Sequence, residues 1–248
     1  MLIRTILTPL IAILFIPTSA QSLNEQIYSC FISGNMEEWS RVMTEMEGVW
    51  ESTHSIEMLY DLTVAQYGYT AYSLSIDKKE MAKKIVLKAE ENAKYMISKN
   101  PEWARAHALM GAIYGFKVGM EPYRVFKFAH RAFDENKLAF ELDPHDPQIW
   151  MERGNIDLYK PSIFGGDKSE AIVYFTKAIE LYEKDTAQLM KNWLYLNTLN
   201  GLASSYRKTG RIRKADETYV KLLHVEPNFV WIRDEEYPKF RKKYEGEL

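Results

Sequence analysis

The chain has 248 residues, 46% hydrophobic and 27% charged, the balance of an ordinary globular protein. Its 32 basic and 34 acidic residues give a formal charge of −2, which excludes the strongly basic surface that nucleic-acid binding needs. A single cysteine, Cys30, excludes an intrachain disulfide, and its setting in Ile27-Tyr28-Ser29-Cys30-Phe31-Ile32 reads as a small buried hydrophobe.

Residues 1–20 read as a signal peptide. Arg4 precedes an apolar run ending at Ile16, and Thr18-Ser19-Ala20 has the small residues of a cleavage site. Roughly ten apolar residues broken by Pro9 are too few for the ~20 that cross a bilayer. The expectation is a periplasmic or secreted protein with no stable membrane insertion after cleavage. No Cys follows the run to carry a lipid anchor. Removing residues 1–20 takes away only Arg4, so 31 basic and 34 acidic residues remain, a charge of −3. Residues 21–248 are expected to form one helical domain.

Between Ala20 and Pro101 proline is scarce and no run alternates with the period of a strand. Residues 23–32 read as a short helix, Ser33-Gly34-Asn35 as its turn and residues 36–47 as the returning helix, a divergent first unit over 23–50. Residues 55–74 form the next helix, with Leu59, Leu62, Tyr67 and Tyr72 among its bulky positions and Gly68 as its point of close approach. Asp77 opens a charged helix running to Ser98, and Asp77-Lys78-Lys79-Glu80 has capping-box spacing. The Lys and Glu residues of that helix read as a solvated face, and Asn100-Pro101 ends it. A third unit carries His107-x2-Met110-Gly111-x2-Tyr114, then Ala132, Ala139 and Pro144. A fourth carries Trp150-x3-Gly154, then Ala171-x3-Phe175 and Ala178. The last runs Leu199-x2-Leu202-Ala203-x2-Tyr206, Gly210, Ala215-x3-Tyr219, Pro227. From Gly111 to Ala132 is 21 positions and from Gly154 to Ala171 is 17, against 12 from Ala203 to Ala215. Nine residues are therefore inserted around 115–123 and five around 161–167.

This order of large, small and aromatic positions resembles the helix–turn–helix pattern W-x2-L-G-x2-Y…A-x3-F…P of a tetratricopeptide repeat (TPR). The resemblance implies an all-α fold, antiparallel helix pairs stacked as a short TPR-like right-handed solenoid. The irregular units, with Pro161-Ser162-Ile163-Phe164-Gly165-Gly166-Asp167 ahead of Lys168-Ser169-Glu170-Ala171, resemble a group of exported bacterial TPR proteins that carry a Pro-x2-Phe-Gly-Gly-Asp loop. That group implies a fold and an export address, and no activity.

Candidate chemistry is sparse. Gly165-Gly166 before a helix invites a phosphate, but the P-loop pattern is absent and Asp167 puts negative charge where the anion would sit. Asp167 with Glu170 reads instead as an N-cap and capping box. His54, His107, His130, His145 and His224 are scattered without zinc-motif spacing, so no metal or cofactor is expected. The acid pairs Glu37-Glu38 and Asp234-Glu235-Glu236 have no nucleophile pattern beside them, and no catalytic residue is assigned. Residues 234–248 close the chain with a short basic tail, Lys239 to Lys243.

Recognition should therefore fall on the concave face, lined by the first helix of each unit. With Leu199, Leu202, Ala203 and Tyr206 as packing positions, Asn197, Asn200, Ser204 and Arg207 share another face. The same register selects Gln148 and Asn155 in the fourth unit, Arg105 in the third, and Tyr69 and Tyr72 in the second. The expected site is a groove graded from aromatic to amide and guanidinium, suited to an extended peptide. Against this stand solvated amides, or a C-terminal tail folded back over them. The leading expectation is a non-enzymatic protein- or peptide-binding scaffold of the cell envelope, which could also pair with its own copy as a homo-oligomer. The alternative is a small-molecule (solute) binding accessory protein of a periplasmic transport system. An enclosed pocket would favour the solute binder, and an open groove the scaffold.

Overall fold

A computed structural model describes residues 19–161 and 165–248. Residues 1–18 of the expected signal peptide and loop residues 162–164 lie outside the described residues. Among the described residues the regular elements are all helices: α1 (Ser19–Ser33), α2 (Met36–Thr53), α3 (Ile56–Ser75), α4 (Lys79–Lys99), α5 (Ala104–Met120), α6 (Val125–Leu142), α7 (Pro147–Tyr159), α8 (Lys168–Tyr182), the short α9 (Thr186–Leu189), α10 (Trp193–Lys208), α11 (Ile212–Val225) and α12 (Tyr237–Lys243). The pairs α1/α2, α3/α4, α5/α6, α7/α8 and α10/α11 are the five repeat units expected, stacked as a short solenoid.

The small positions explain the close crossings. A Cβ on Gly111 would fall 3.2 Å from the Ala132 carbonyl of α6, and one on Gly154 would fall 2.7 Å from the Phe175 ring of α8. Ala203 and Ala215 are fully buried between α10 and α11. Gly210, at φ +72°, makes the left-handed turn between them, and α11 ends two residues before Pro227. Gly68 departs from expectation. It faces the rings of Trp39 and Trp193, each 2.8 Å from its built Cβ, and so makes room for α2 and α10 side chains.

Other local expectations are corrected. Asp77 takes a left-handed φ of 56°, so the turn continues to Lys78 and no side chain caps α4. The nine inserted residues mostly lengthen α5 to Met120, followed by a 3-10 turn at Pro122–Arg124. The face of α4 is not wholly solvated: Glu90 is buried and accepts from Lys117 of α5 at 2.5 Å. Asp167 does cap α8, accepting from the Ser169 amide at 2.8 Å, while its own amide donates to Asp157 rather than to Glu170.

The arrangement of first helices decides the shape. α1 touches α3, α3 touches α5, α5 touches α7, α7 touches α10, and α10 touches α1. The concave side is thus encircled, because the first unit meets the last. Phe31 packs on Trp193 and Phe229 with ring centroids 5.3 and 4.8 Å apart, and Trp39 meets Trp193 edge-on at 5.4 Å. The Trp39 indole donates to the Ala65 carbonyl at 3.2 Å, Tyr28 donates to Glu226 at 2.6 Å, and Lys191 pairs with Glu25 at 2.7 Å. Cys30 is buried in this same core.

Phe175 tests the packing. Its ring is fully buried and wedged between Gly154 of α7 and Gly201 of α10, whose added Cβ would fall 2.6 Å from it. Neither side can yield, so Gly201→Ala is expected to cost about 1–3 kcal/mol by overpacking. Gly48, inside α2, has nothing within 4 Å of an added Cβ. Gly48→Ala should therefore stabilise by about 0.5–1 kcal/mol through helix propensity. Denaturant melts of the two variants check this opposite pair of signs.

Candidate functional site

Inside the encircled side lies a cavity of about 400 Å³. α1 contributes Asn24 and Ile27, α3 contributes Tyr60, Asp61, Val64 and Ala65, and α5 contributes Arg105. Asp146, Pro147 and Gln148 come from the start of α7, Tyr182 from the end of α8, and Met190 to Leu194 from the segment that enters α10. Polar and apolar groups share the lining.

The sequence places these groups by ordinary means. Asp146 is the N-cap of α7, accepting from the Gln148 amide at 2.8 Å, with Pro147 at the first helical position where a missing N–H costs nothing. Its other oxygen accepts from Arg105 Nε, so the cap also ties α5 to α7. The Tyr60 hydroxyl donates to Gln148 Oε1, and the Tyr60 ring stacks on Trp103 at 5.4 Å. Burial pushes the Tyr60 pKa up, which keeps that donor protonated. Asn24 donates to Asp61 at 2.7 Å, and burial raises the Asp61 carboxyl above its ordinary value.

One turn along α7 from Gln148, the carboxyl of Glu152 is 2% exposed. Its Oε2 accepts from Tyr67 at 3.3 Å and from Asn155 at 3.2 Å, and Asn155 also donates to the Tyr67 hydroxyl at 3.0 Å. Desolvation raises the Glu152 pKa from 4.5 to about 7 despite those two donors. Three buried atoms here have no protein partner: Gln148 Nε2, Glu152 Oε1 and the Tyr182 hydroxyl. Buried polar groups are nearly always paired, so their clustering marks the place where something else can bind.

The expected site residues separate into groups. Arg105 and Gln148 line the cavity, and Asn155 lies in the buried cluster beside Glu152. Tyr69 is buried in the core, with the half-buried Tyr72 edge-on to it at 5.7 Å. On α10 the expected face turns toward the end of the chain. Arg207 approaches Glu236 to 3.5 Å, and Ser204 hydrogen-bonds to Tyr219, which also donates to Glu236 at 3.1 Å. Asn197 and Asn200 are half-buried, and neither lines the cavity. A π-helical turn at Ile232–Glu236 and α12 cover α11, with Tyr219 against Phe240 at 5.2 Å and Tyr237 donating to Asp216. The nine residues thus do not form one continuous groove. Tyr60, Asp61, Asp146, Glu152 and Tyr182 were not expected from sequence. The spacing of Gln148, Glu152 and Asn155 at i, i+4 and i+7 on α7 is the signal that could have found part of the cluster.

Among the described residues no three His, Cys, Asp or Glu side chains converge as a metal site, and no helix is long and apolar enough to cross a membrane.

Comparison with known proteins agrees with this geometry at the level of fold. The tetratricopeptide repeat family model matches residues 196–229, the last unit. The HusA haemophore from Porphyromonas gingivalis superposes with a TM-score of 0.62 at 14% identity, over 77% of this chain and 94% of that one. A thermophilic TPR protein from Thermus thermophilus superposes at 0.58 with 17% identity, over 92% of this chain and 98% of its own. No curated protein matches the chain in sequence. The chain is an all-α, TPR-like helical-repeat protein.

The Glu152 shift has a sign that can be measured. Its folded pKa is raised, so the neutral carboxyl is accommodated below pH 4.5 and stability is lost as pH rises toward 7. The full effect above that range is on the order of 3 kcal/mol. Glu152→Gln removes the ionisation while keeping the shape. Its melting temperature should exceed wild type at pH 8, with the gap closing toward pH 4.5. A gap that is constant with pH would show that this carboxyl is not held neutral.

Proposed function

We propose that this protein is an exported, non-enzymatic binding protein of the cell envelope that holds a small molecule in its concave cavity. The observation carrying this reading is the contact of α1 with α10, which turns the groove of a stacked array into a pocket of about 400 Å³. That volume lies within the usual ~300–1,000 Å³ of small-molecule sites. An extended peptide needs an unbroken channel along the first helices, whereas here the Phe31, Trp39 and Trp193 rings pack together where the first unit meets the last. The fold is one that a haemophore also uses. Solute binding of this kind suits an accessory role in transport.

Ligand-observed NMR with a mixed panel of small acids, amides, amines and sugars tests the reading. At least one class should bind, and Val64→Trp, which projects a ring into the cavity from α3, should weaken it about tenfold, a loss of roughly 1.4 kcal/mol. A panel in which no member binds the folded wild type would sink the proposal.

A second reading, a protein-interaction surface, is favoured by one observation on the outer side. Tyr123, Phe126 and Phe133 are 82%, 87% and 66% exposed, with Phe126 and Phe133 two turns apart on one face of α6. Large aromatics left in water in a row mark contact sites more often than single ones do. Phe126→Ser with Phe133→Ser should abolish any self-association seen by sedimentation and leave the pocket's ligand binding unchanged.

A further inference from the structure

The unpaired groups of the cavity say which ligand chemistry it lacks. Gln148 is 4% exposed and Tyr182 is 2% exposed, both line the cavity, and neither Gln148 Nε2 nor the Tyr182 hydroxyl has a protein partner. Gln148 is oriented by its neighbour: the Tyr60 hydroxyl takes Oε1, so the end left over is the amide donor. Arg105 stands beside them, its Nε on Asp146, and neither of its Nη groups donates to a described residue. Arg105, Gln148 and Tyr182 thus line one space, and two of them carry a buried donor with no protein acceptor.

The acids around that space are bound at one or both oxygens. One Asp146 oxygen accepts from Arg105 Nε and the other from the Gln148 backbone amide. Asp61 lies on the α3 wall and accepts from Asn24. Glu152 is not among the lining residues: its Oε2 accepts from Tyr67 and Asn155, and its Oε1 is unpaired. At the rim, Lys191 adds a second positive charge, paired with Glu25 outside the lining. An ammonium ligand would meet a guanidinium and donor hydrogens. A phosphate dianion would bring two charges between Asp61 and Asp146. A carboxylate brings one charge and two acceptor oxygens, which match the guanidinium fork and two neutral donors. Ile27, Val64, Ala65, Trp193 and Leu194 supply an apolar wall for the rest of the molecule.

We infer that the cavity is built for a small carboxylate on an apolar body, its oxygens at Arg105, Gln148 Nε2 and the Tyr182 hydroxyl. The inference rests on the pocket reading above and adds the ligand's class. In the bound state each orphaned donor gains an acceptor, and the ligand exchanges water for a charge-assisted contact.

Phenylacetate, phenylacetamide and phenethylamine, which share one skeleton, are titrated into the full mature chain by calorimetry at pH 7. The acid should bind at least about tenfold tighter than the amide, and the amine should not bind. Tyr182→Phe removes only an unpartnered hydroxyl, so the melting temperature should hold while affinity for the acid falls severalfold. Gln148→Glu replaces the donor by a carboxylate and should abolish acid binding, with folding verified by the same melt. Should the amide equal the acid, or the amine bind best, the carboxylate assignment is overturned and the pocket reading stands. Unchanged acid affinity in both variants also overturns the assignment. If none of the three binds, the assignment fails, and the mixed panel above decides separately whether the pocket takes any solute.

Discussion

The structure depends on the aromatic contact between its first and last units. In an open solenoid each repeat touches only its neighbours, and the concave face stays a groove. Here Trp39 of α2 and Phe31 of α1 meet Trp193 at the start of α10, and Gly68 clears the space they need. Aromatic pairs contribute through both buried area and edge geometry. Around this plug the five first helices form a closed circuit, and the cavity is what remains beside it.

The closure explains why the site mixes so many polar side chains with so much apolar surface. A helix in the stack presents one face to its pair, one to the next unit and one inward. In an open array the inward face is wet and tolerates polar residues. Encircled, the same residues become buried, so Gln148 must pair with Tyr60, and Glu152, Asn155 and Tyr67 with one another. They do so incompletely, and Gln148 and Glu152 keep unpaired atoms, as does Tyr182 at the end of α8. The raised Glu152 pKa is the electrostatic expression of the same burial.

Much of the fold was legible because a repeat writes its packing as residue size. Gly111, Gly154, Ala203, Gly210 and Pro227 each occupy the place their size or backbone demands. The closure was not legible. Phe31, Trp39 and Trp193 read locally as ordinary core residues, and nothing in their spacing brings positions over 150 residues apart together. The site was half legible for a related reason. Helical register identifies a face, which is how Arg105 and Gln148 were selected, but register does not say what covers that face. On α10 the same register selected Ser204 and Arg207, and Tyr219 of α11 and Glu236 of the turn before α12 occupy them. Tyr60 and Tyr182 lay outside the register altogether, since one approaches across the stack and the other ends a second-layer helix.

Encirclement also bears on how such a chain can change length. An open array gains or loses a unit with little disturbance, because only two interfaces are rewritten. In this protein a sixth pair of helices would carry Trp193 away from Trp39 and Phe31, and one pair fewer would drive them into collision. The number of units is thus held by the fit between its two ends, and this chain carries its added length outside the circuit, in the lengthened end of α5 and the helical cap after α11.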